Sequence, residues 1–265
     1  MTLEGRRRIA QGREAEIFEW GDGAVLKLYR GEGFGLELEA AALAAITSAG
    51  GPAPRPLGRH DIDGRPGLLI SRVDGIDMLA MLEKAPWRLV GLARRLARAH
   101  VEIGRIAAPP GLPGTKELLA ERIAAGPLDT ELRDFGLEHT AALPDGDRLC
   151  HGDFHPGNVL LTAESISVID WPLASRGHPT ADYARSALLM AIGDPPPVSR
   201  FMRMLVMVGR RWFSGAYAAA FERQVPVDPE DVRHARIAHT AARFTEGIEV
   251  EFPRLRDFLQ RARRA

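Results

Sequence analysis

The chain reads HGDFHPGN from His151 to Asn158, and an apolar run then leads to Ile169-Asp170-Trp171. Asp153 is a carboxylate suited to orient a substrate hydroxyl, and Asn158 and Asp170 offer the oxygen donors that magnesium prefers. Phosphoryl transfer requires these three groups close together beside a nucleotide. The stretch therefore predicts a phosphoryl-transfer site, with Asp153 as the base and the other two residues as metal ligands.

Each of these residues also has an ordinary structural interpretation. Asp153 and Asn158 are common turn residues around Pro156-Gly157, and Asp170 stands at the end of an apolar strand. For any one of them alone, the structural interpretation is the simpler one. Their joint order and spacing favour the catalytic interpretation, because neither a turn nor a strand end requires the whole combination.

Two histidines flank Asp153. A His-x-x-x-His pair brings two imidazoles together only on a helix, and Pro156-Gly157 directly after His155 disfavours a helix there. We therefore expect His151 to be a structural histidine that is hydrogen-bonded within the loop. Two roles stay open for His155, which are contact with substrate or phosphate and stabilisation of the loop.

Lys27 lies in the second strand of a predicted β-hairpin that turns at Gly21-Asp22-Gly23. An ammonium in an apolar strand is costly unless it is paired or used, so we expect it to face a cleft and neutralise nucleotide phosphates. The helix predicted from Leu36 offers two acids on different faces. Glu39 is the expected partner of the lysine, and Glu37 is the alternative.

Other nucleotide contacts are predicted from weaker signals. Gly12 and Arg13 precede the hairpin where a phosphate-covering loop would lie, but this segment holds a single glycine, and a solvent-facing turn is equally consistent with it. The strand that ends near Ser71 leads into Asp74-Gly75 as a connector. We expect backbone groups of Ser71 and Val73 to contact the nucleotide base there.

The order of the elements predicts an α+β chain with two lobes. Strand-like runs and one helix fill residues 1–74, and the composition is mainly helical over residues 75–265. We expect a small antiparallel sheet lobe that binds the nucleotide, followed by a helical lobe that holds the catalytic loop and the acceptor. Asp182, in the first turn of a helix with Thr180 as a cap, is predicted to hold that loop.

The composition limits the classes of binding partner that are expected for this chain. Among 265 residues, 45% are hydrophobic and 35 basic residues balance 35 acidic ones, so neither disorder nor binding to nucleic acid or a membrane surface is expected. Cys150 is the only cysteine, and no run of residues is apolar enough for a membrane span, which favours a cytoplasmic protein. The expected partner is a small molecule, and a monomer and a homodimer are both compatible with the sequence.

The motifs together resemble those of the aminoglycoside phosphotransferase and choline kinase group of small-molecule kinases. The similar segments are, in order, His151-Gly152-Asp153, Asn158-Val159-Leu160, Val168-Ile169-Asp170-Trp171, Gly177-His178-Pro179 and Asp182-Tyr183-Ala184. The resemblance spans nearly all of the chain. It implies a protein-kinase-like fold, ATP or GTP as phosphate donor, a base at Asp153, Mg²⁺ at Asn158 and Asp170, and phosphate contact at Lys27.

The resemblance does not name the hydroxyl acceptor, because that pocket is built from variable C-terminal helices. Glu246, Glu249 and Glu251 would suit a polycationic aminoglycoside if their helix lines the cleft. Arginines interleave with these acids, so a solvated helix face of mixed charge is the simpler interpretation.

Two alternative functions are weighed against a small-molecule kinase. The glycine-poor loop would suit a nucleotide-binding pseudokinase with a regulatory role, although the base and both metal ligands are retained. A protein kinase is disfavoured, because little chain separates Asp170 from the helix that starts at Thr180, too little for a long peptide-docking segment.

Overall fold

The first lobe is a five-stranded antiparallel sheet with one helix. The structure is a computed structural model that describes residues 3–12, 14–21, 23–162, 165–192 and 200–264. The strands are β1 (Arg8–Gln11), β2 (Ala15–Glu19), β3 (Ala24–Tyr29), β4 (Pro56–Ile62) and β5 (Arg65–Ser71), in the order β1-β2-β3-β5-β4, and α1 (Leu36–Ser48) joins β3 to β4. The predicted hairpin is therefore formed by β2 and β3.

Strand β3 presents Lys27 to the face of the sheet that α1 covers. Alternate residues of a strand point to opposite sides of a sheet. Val25 and Tyr29 belong to the main hydrophobic core, together with the buried side of α1. Leu26 and Leu28 belong to a separate cluster on the other face. The period-two pattern therefore directs the lysine beneath α1, where it is 7% exposed.

The second lobe is mainly helical. Its helices are α2 (Met78–Lys84), α3 (Leu89–Ile103), α4 (Thr115–Ala125), α5 (Thr130–Ala141), α6 (Pro179–Ile192), α7 (Arg200–Glu222), α8 (Pro229–Ala242) and α9 (Phe252–Arg264). Short strands lie among them, namely β6 (Ile76–Asp77), β7 (Arg148–Cys150), β8 (Val159–Leu161), β9 (Ile166–Val168) and β10 (Ser175–Gly177). Strand β8 pairs with β6 and β9, and β10 pairs with β7.

Strand pairing brings the two parts of the quoted motif together. In the β8–β9 hairpin Val159 lies opposite Val168. The residues just outside this pair, Asn158 and Ile169, are joined by a backbone hydrogen bond of 2.9 Å. Asp170 therefore follows directly beside the end of the 151–158 loop.

The predicted fold class, a protein-kinase-like α+β fold with a sheet lobe and a helical lobe, is confirmed. Within the mainly helical residues 75–265 the sequence also predicts a helix from Val198 to Glu222; the structure describes it from Arg200, and residues 193–199 lie outside the described part. The sequence likewise predicts a helix from Pro229 to Phe244; in the structure this helix ends at Ala242, where a 3₁₀ turn follows. Within the described ranges, no helix combines the length and apolar character needed to cross a bilayer.

Candidate active site

The 151–158 loop connects β7 to β8 and turns at Gly152. This glycine has φ +78°, and a Cβ atom there would lie 2.5 Å from the carbonyl oxygen of Leu173. Both the left-handed conformation and the close backbone approach require glycine. The loop thus packs directly against the segment that follows Asp170.

His151 joins the loop to that segment. Its buried ring accepts the Asp153 N–H at Nδ1 (3.2 Å) and donates from Nε2 to the Ile169 carbonyl (3.1 Å). Burial lowers the pKa of His151 and outweighs the nearby carboxylates, which raise it, so the imidazole is neutral. The structure therefore gives His151 one hydrogen bond inside the loop and one to the neighbouring segment, as a structural histidine requires.

Asp182 holds the loop from α6. Its carboxylate accepts the backbone N–H groups of His151 (2.7 Å) and Gly152 (2.9 Å). It also accepts a hydrogen bond of 3.0 Å from Nε2 of His100, whose ring stacks on Phe154 at 4.2 Å. Burial alone would raise the pKa of Asp182, but the His100 hydrogen bond and the other donors lower it to about 2.

Asp182→Asn should destabilise the fold in a pH-dependent way. The carboxylate has a lower pKa folded (about 2) than at its ordinary value of 3.8, so its contribution is present above pH 3.8 and is lost as pH falls toward 2. This shift corresponds to about 2–3 kcal/mol. Urea unfolding of wild type and variant from pH 7 to pH 2 should give a stability difference that shrinks below pH 4.

The matched control is Asp145→Asn, since the Asp145 side chain is 93% exposed. It should leave the free energy of unfolding within about 0.5 kcal/mol of wild type, as surface substitutions do. An Asp182→Asn difference that stays constant from pH 7 to pH 2 would contradict the assignment.

Asp153 lies in the 151–158 loop, and its side chain is 29% exposed. Nδ2 of Asn158 donates to its backbone oxygen (2.9 Å) and to Oδ2 (3.3 Å), and Nε2 of His155 lies 3.5 Å from Oδ2. Burial acts to raise the pKa of Asp153, but His155 and Arg185 lower it well below its usual range. Asp153 is therefore an anion at neutral pH and can accept a hydrogen bond from a hydroxyl.

His155 is held by the loop. Its Nδ1 accepts the Gly157 N–H at 3.1 Å, which caps the 3₁₀ turn Pro156–Asn158. Its Nε2 is then the protonated nitrogen, and it faces the Asp153 carboxylate. Of the two roles left open for His155, these contacts favour stabilisation of the loop.

Asn158 and Asp170 bring two oxygen donors to neighbouring positions. The amide nitrogen of Asn158 is used by Asp153, which leaves its Oδ1 as the donor atom toward a cation. Asp170 adopts φ +68° with its side chain 46% exposed. A left-handed aspartate is uncommon and often marks a functional position. No cluster of three His, Cys, Asp or Glu side chains suited to a metal occurs in the described part of the chain.

Lys27 connects the two lobes through two carboxylates. Its Nζ lies 2.6 Å from Oε2 of Glu39 and 2.6 Å from Oδ1 of Asp170, and Tyr29 also donates its hydroxyl proton to Glu39. Burial would lower the pKa of the ammonium, but both carboxylates together raise it above its ordinary value. Glu39, rather than Glu37, contacts the lysine. Glu37 forms an exposed ion pair with Arg59.

The start of α1 packs on the segment after Asp170. Gly35 has φ +79°, and a Cβ atom at this position would lie 2.4 Å from Cβ and 2.7 Å from Cα of Pro172. Only glycine fits such a contact. This junction fixes the helix that carries Glu39 relative to Asp170.

Gly35→Ala should therefore destabilise the protein by more than left-handed strain alone. The matched control is Gly50→Ala, because Gly50 has φ +69° with no atom within 4 Å of the added Cβ. Left-handed backbone costs an alanine roughly 1–2 kcal/mol, and the clash at Pro172 should add at least about 1 kcal/mol. Urea unfolding of both variants measures the difference, and equal losses would show that the junction does not depend on glycine.

The other residues that the sequence predicts to contact the nucleotide form ordinary local hydrogen bonds or lie outside the described residues. Gly12 is exposed, and its N–H donates to the Ala15 carbonyl at 2.8 Å, while Arg13 lies outside the described residues. Ser71 donates its N–H to Arg55 and accepts the Arg55 N–H at its hydroxyl, each at 2.9 Å, so both groups serve the sheet. The Val73 carbonyl accepts the Gly75 N–H. None of these contacts points to a base-recognition site.

The acidic segment after α8 differs from the expected solvated helix face. It forms two 3₁₀ turns, Arg243–Glu246 and Glu249–Glu251. Glu246 accepts hydrogen bonds from Arg122 (2.7 Å), Arg185 (2.6 Å) and Arg243. The prediction of a solvated mixed-charge helix is wrong here, because three arginines pair with the partly buried carboxylate of Glu246. Glu249 is exposed, and Glu251 is buried against Arg243.

Sequence reasoning did not identify Arg185, Tyr29 or Gly35. Arg185 follows Asp182 by three residues on α6, and this spacing places both side chains on the same helix face. That spacing was the available signal. Nothing local in the sequence indicated the contacts of Tyr29 and Gly35, since the first depends on how α1 packs on the sheet and the second on how the two lobes pack.

A two-lobed kinase-like fold with this set of acids, amide and lysine defines a small-molecule kinase. The sequence profile of the phosphotransferase enzyme family (APH) matches residues 5–224. The chain belongs to that family, and the resemblance drawn from the motifs is confirmed. None of the curated proteins matches the chain significantly.

Solved structures of similar fold come from the same enzyme groups. An apo thermostable mutant of aminoglycoside phosphotransferase APH(4)-Ia is 15% identical, with a TM-score of 0.66, covering 98% of this chain and 94% of that one. Aminoglycoside-3'-phosphotransferase of type VIII is 23% identical, with a TM-score of 0.60, covering 88% and 93%. A choline/ethanolamine kinase family protein from Mesorhizobium loti is 15% identical, with a TM-score of 0.60, covering 97% and 85%. At these identities the likeness establishes the fold alone.

Proposed function

We propose that the protein transfers the γ-phosphate of ATP, or of GTP, to a hydroxyl of a small molecule in a Mg²⁺-dependent reaction. The observation that carries this proposal is a continuous set of contacts. Asp153 is bonded to Asn158, the Asn158 backbone is bonded to Ile169, and the next residue, Asp170, is paired with Lys27. These contacts support the assignment of the base, the metal donors and the phosphate-binding cation to one site.

The residues divide the reaction among them. The acceptor oxygen forms a bond to the γ-phosphorus while the bond from that phosphorus to the β-phosphate oxygen breaks. The hydroxyl proton passes to Asp153 and then to solvent. Because its pKa is held low, Asp153 is a weak base whose main role is to orient the hydroxyl. This suits a reaction in which catalysis consists mainly of positioning and charge neutralisation.

The donor set fits magnesium. Asn158 and Asp170 supply one amide oxygen and one carboxylate, and Mg²⁺ is usually held by one or two carboxylates together with phosphates and water. When bound, the ion neutralises charge on the phosphates. The Lys27 ammonium stays charged beside Asp170 and is suited to the nucleotide phosphates. An APH(4)-Ia mutant of similar fold is described in a ternary complex with AMP-PNP and hygromycin B, which supports nucleotide use here.

The acceptor is proposed only as a small polar hydroxyl compound. Glu246 is held by three arginines, so it does not offer a free carboxylate to a polycationic aminoglycoside. Glu249 remains available at the surface. We further propose a nucleotide-binding lobe over residues 1–74, an acceptor-binding lobe over residues 75–265, and a cytoplasmic monomer or homodimer.

An acceptor screen coupled to ADP and GDP release tests the proposal. Aminoglycosides, amino alcohols, sugars and nucleosides would be supplied with Mg·ATP or Mg·GTP, with and without EDTA. We expect acceptor-dependent, EDTA-sensitive nucleotide turnover. Nucleotide binding without turnover in any mixture would instead indicate the regulatory pseudokinase, and phosphate incorporation into generic protein substrates would indicate a protein kinase.

A further inference from the structure

Arg185 is a buried arginine that contacts the 151–158 loop from behind. It is 1% exposed and belongs to α6. Its Nε donates to the Gly152 carbonyl at 3.2 Å, and its Nη2 lies 3.7 Å from Oδ1 of Asp153. A buried guanidinium is strongly unfavourable unless its charge is compensated. Its presence behind the base therefore calls for an explanation.

Helix α6 contacts the 151–158 loop through two side chains of opposite charge, Asp182 and Arg185. Asp182 accepts the N–H groups of His151 and Gly152, while Arg185 binds the carbonyl of Gly152 and faces the carboxylate of Asp153. The two side chains lie three residues apart on one helix face. Donor and acceptor groups of the same turn are thus both fixed, and so is the direction in which the Asp153 side chain leaves the loop.

The guanidinium is itself anchored from the C-terminal part of the chain. Nη2 of Arg185 donates to Oε1 of Glu246 at 2.6 Å, and that carboxylate also binds Arg122 and Arg243. The contact to Glu246 is much shorter than the one to Asp153. Arg185 is therefore held mainly by its hydrogen bond to Glu246. Its guanidinium faces the Asp153 carboxylate at a longer distance and does not form a direct hydrogen bond with it.

We propose that Arg185 is a positioning residue, held by Glu246, that sets the orientation of the Asp153 carboxylate for phosphoryl transfer. The inference rests on the proposed function. It assigns to the Glu246 carboxylate an internal role and removes it from acceptor recognition. Arg185 acts through Asp153 and needs no contact with either substrate.

Steady-state kinetics of the full-length chain test this assignment, using the acceptor found in the screen. Arg185→Gln should lower kcat by about 10²-fold, since a misplacement of about 1 Å has this effect. KM for ATP and the affinity for AMP-PNP, measured by calorimetry, should stay within about twofold, because Arg185 contacts Gly152, Asp153 and Glu246 and not the phosphate-binding Lys27. Arg185→Lys keeps the charge but loses the forked geometry, and it should recover about tenfold of the lost kcat.

Arg122→Gln is the matched control. Arg122 donates to the same oxygen of Glu246 at 2.7 Å and to Thr245 at 3.2 Å, and neither contact reaches Asp153. A purely structural role of the arginine cluster predicts similar losses in both variants. A positioning role predicts that Arg122→Gln keeps kcat within about threefold of wild type while Arg185→Gln does not.

Each outcome decides the matter. A wild-type kcat in Arg185→Gln, an equal loss in Arg122→Gln, or a loss confined to the KM for ATP would overturn the inference and leave the proposed function intact. Absence of turnover by the wild-type protein with every acceptor would overturn the proposed function and the inference with it. If Arg185→Gln does not fold, Arg185→Lys decides alone, with about tenfold lower kcat as support and wild-type kcat as refutation.

Discussion

Asp153→Ala should lower the turnover of the protein by roughly 10²–10⁴-fold, the usual range for loss of general-base assistance. The carboxylate is ionised, partly exposed and held by Asn158 and His155, so its removal takes away the group that we propose orients the acceptor hydroxyl. The affinity for nucleotide should change little, because Lys27 and Asp170 stay in place. ADP release and AMP-PNP titration measure the two effects separately.

Asp153→Asn is the size-matched companion of that variant. It keeps the side-chain volume and removes the charge, so a similar loss of kcat would assign the effect to the carboxylate rather than to a cavity. Asp145→Ala, at an exposed site whose ion pair is with Lys116, should retain wild-type kcat. Near-normal turnover of Asp153→Ala would exclude Asp153 as the base.

Asp170→Ala should reduce turnover by roughly 10³-fold at ordinary Mg²⁺ concentrations, because the charge neutralisation that a metal supplies amounts to several kcal/mol. The half-saturating Mg²⁺ concentration should rise in parallel. The fold should tolerate the change, since the side chain is nearly half exposed and Lys27 keeps its buried partner Glu39. The substitution should not relieve backbone strain at this position, because alanine adopts φ +68° less readily than aspartate does.

A Mg²⁺ titration of activity gives the first measurement, and the rise in Tm on adding Mg·AMP-PNP gives a second that does not depend on turnover. The wild-type protein should gain several degrees and Asp170→Ala much less, because binding to the native state raises its stability. An unchanged Mg²⁺ dependence in the variant would rule out Asp170 as a ligand.

The sequence was informative wherever a side chain is positioned by its own strand or loop. The alternation of side chains along β3 places Lys27 on the face of the sheet that α1 covers. The 151–158 loop follows from the local order of Asp153, Pro156-Gly157 and Asn158. Helix composition likewise predicts helices from Leu36 to Ile46 and from Phe252 to Arg263, which agree with α1 and α9 to within two residues. In these segments, local preferences and the tertiary fold agree.

Contacts between distant parts of the chain were not predictable in the same way. Arg185 and Glu246 are 61 residues apart and share a hydrogen bond only because α6 and the turn after α8 pack together. The composition predicted that Glu246 lies in a helix, whereas the structure has it in a 3₁₀ turn, paired with three arginines. The approach of Gly35 to Pro172 likewise depends on lobe packing. Tertiary contacts override local propensity at such positions.

The carboxylate of Asp182 has a consequence for how the enzyme starts each cycle. Because two amides of the loop end on this buried group, and His100 and Phe154 close over it, their hydrogens should exchange with solvent only when the whole lobe opens. The turn that carries Asp153, the proposed base, is thus preorganised by folding. Substrate binding therefore need not supply free energy to order this turn.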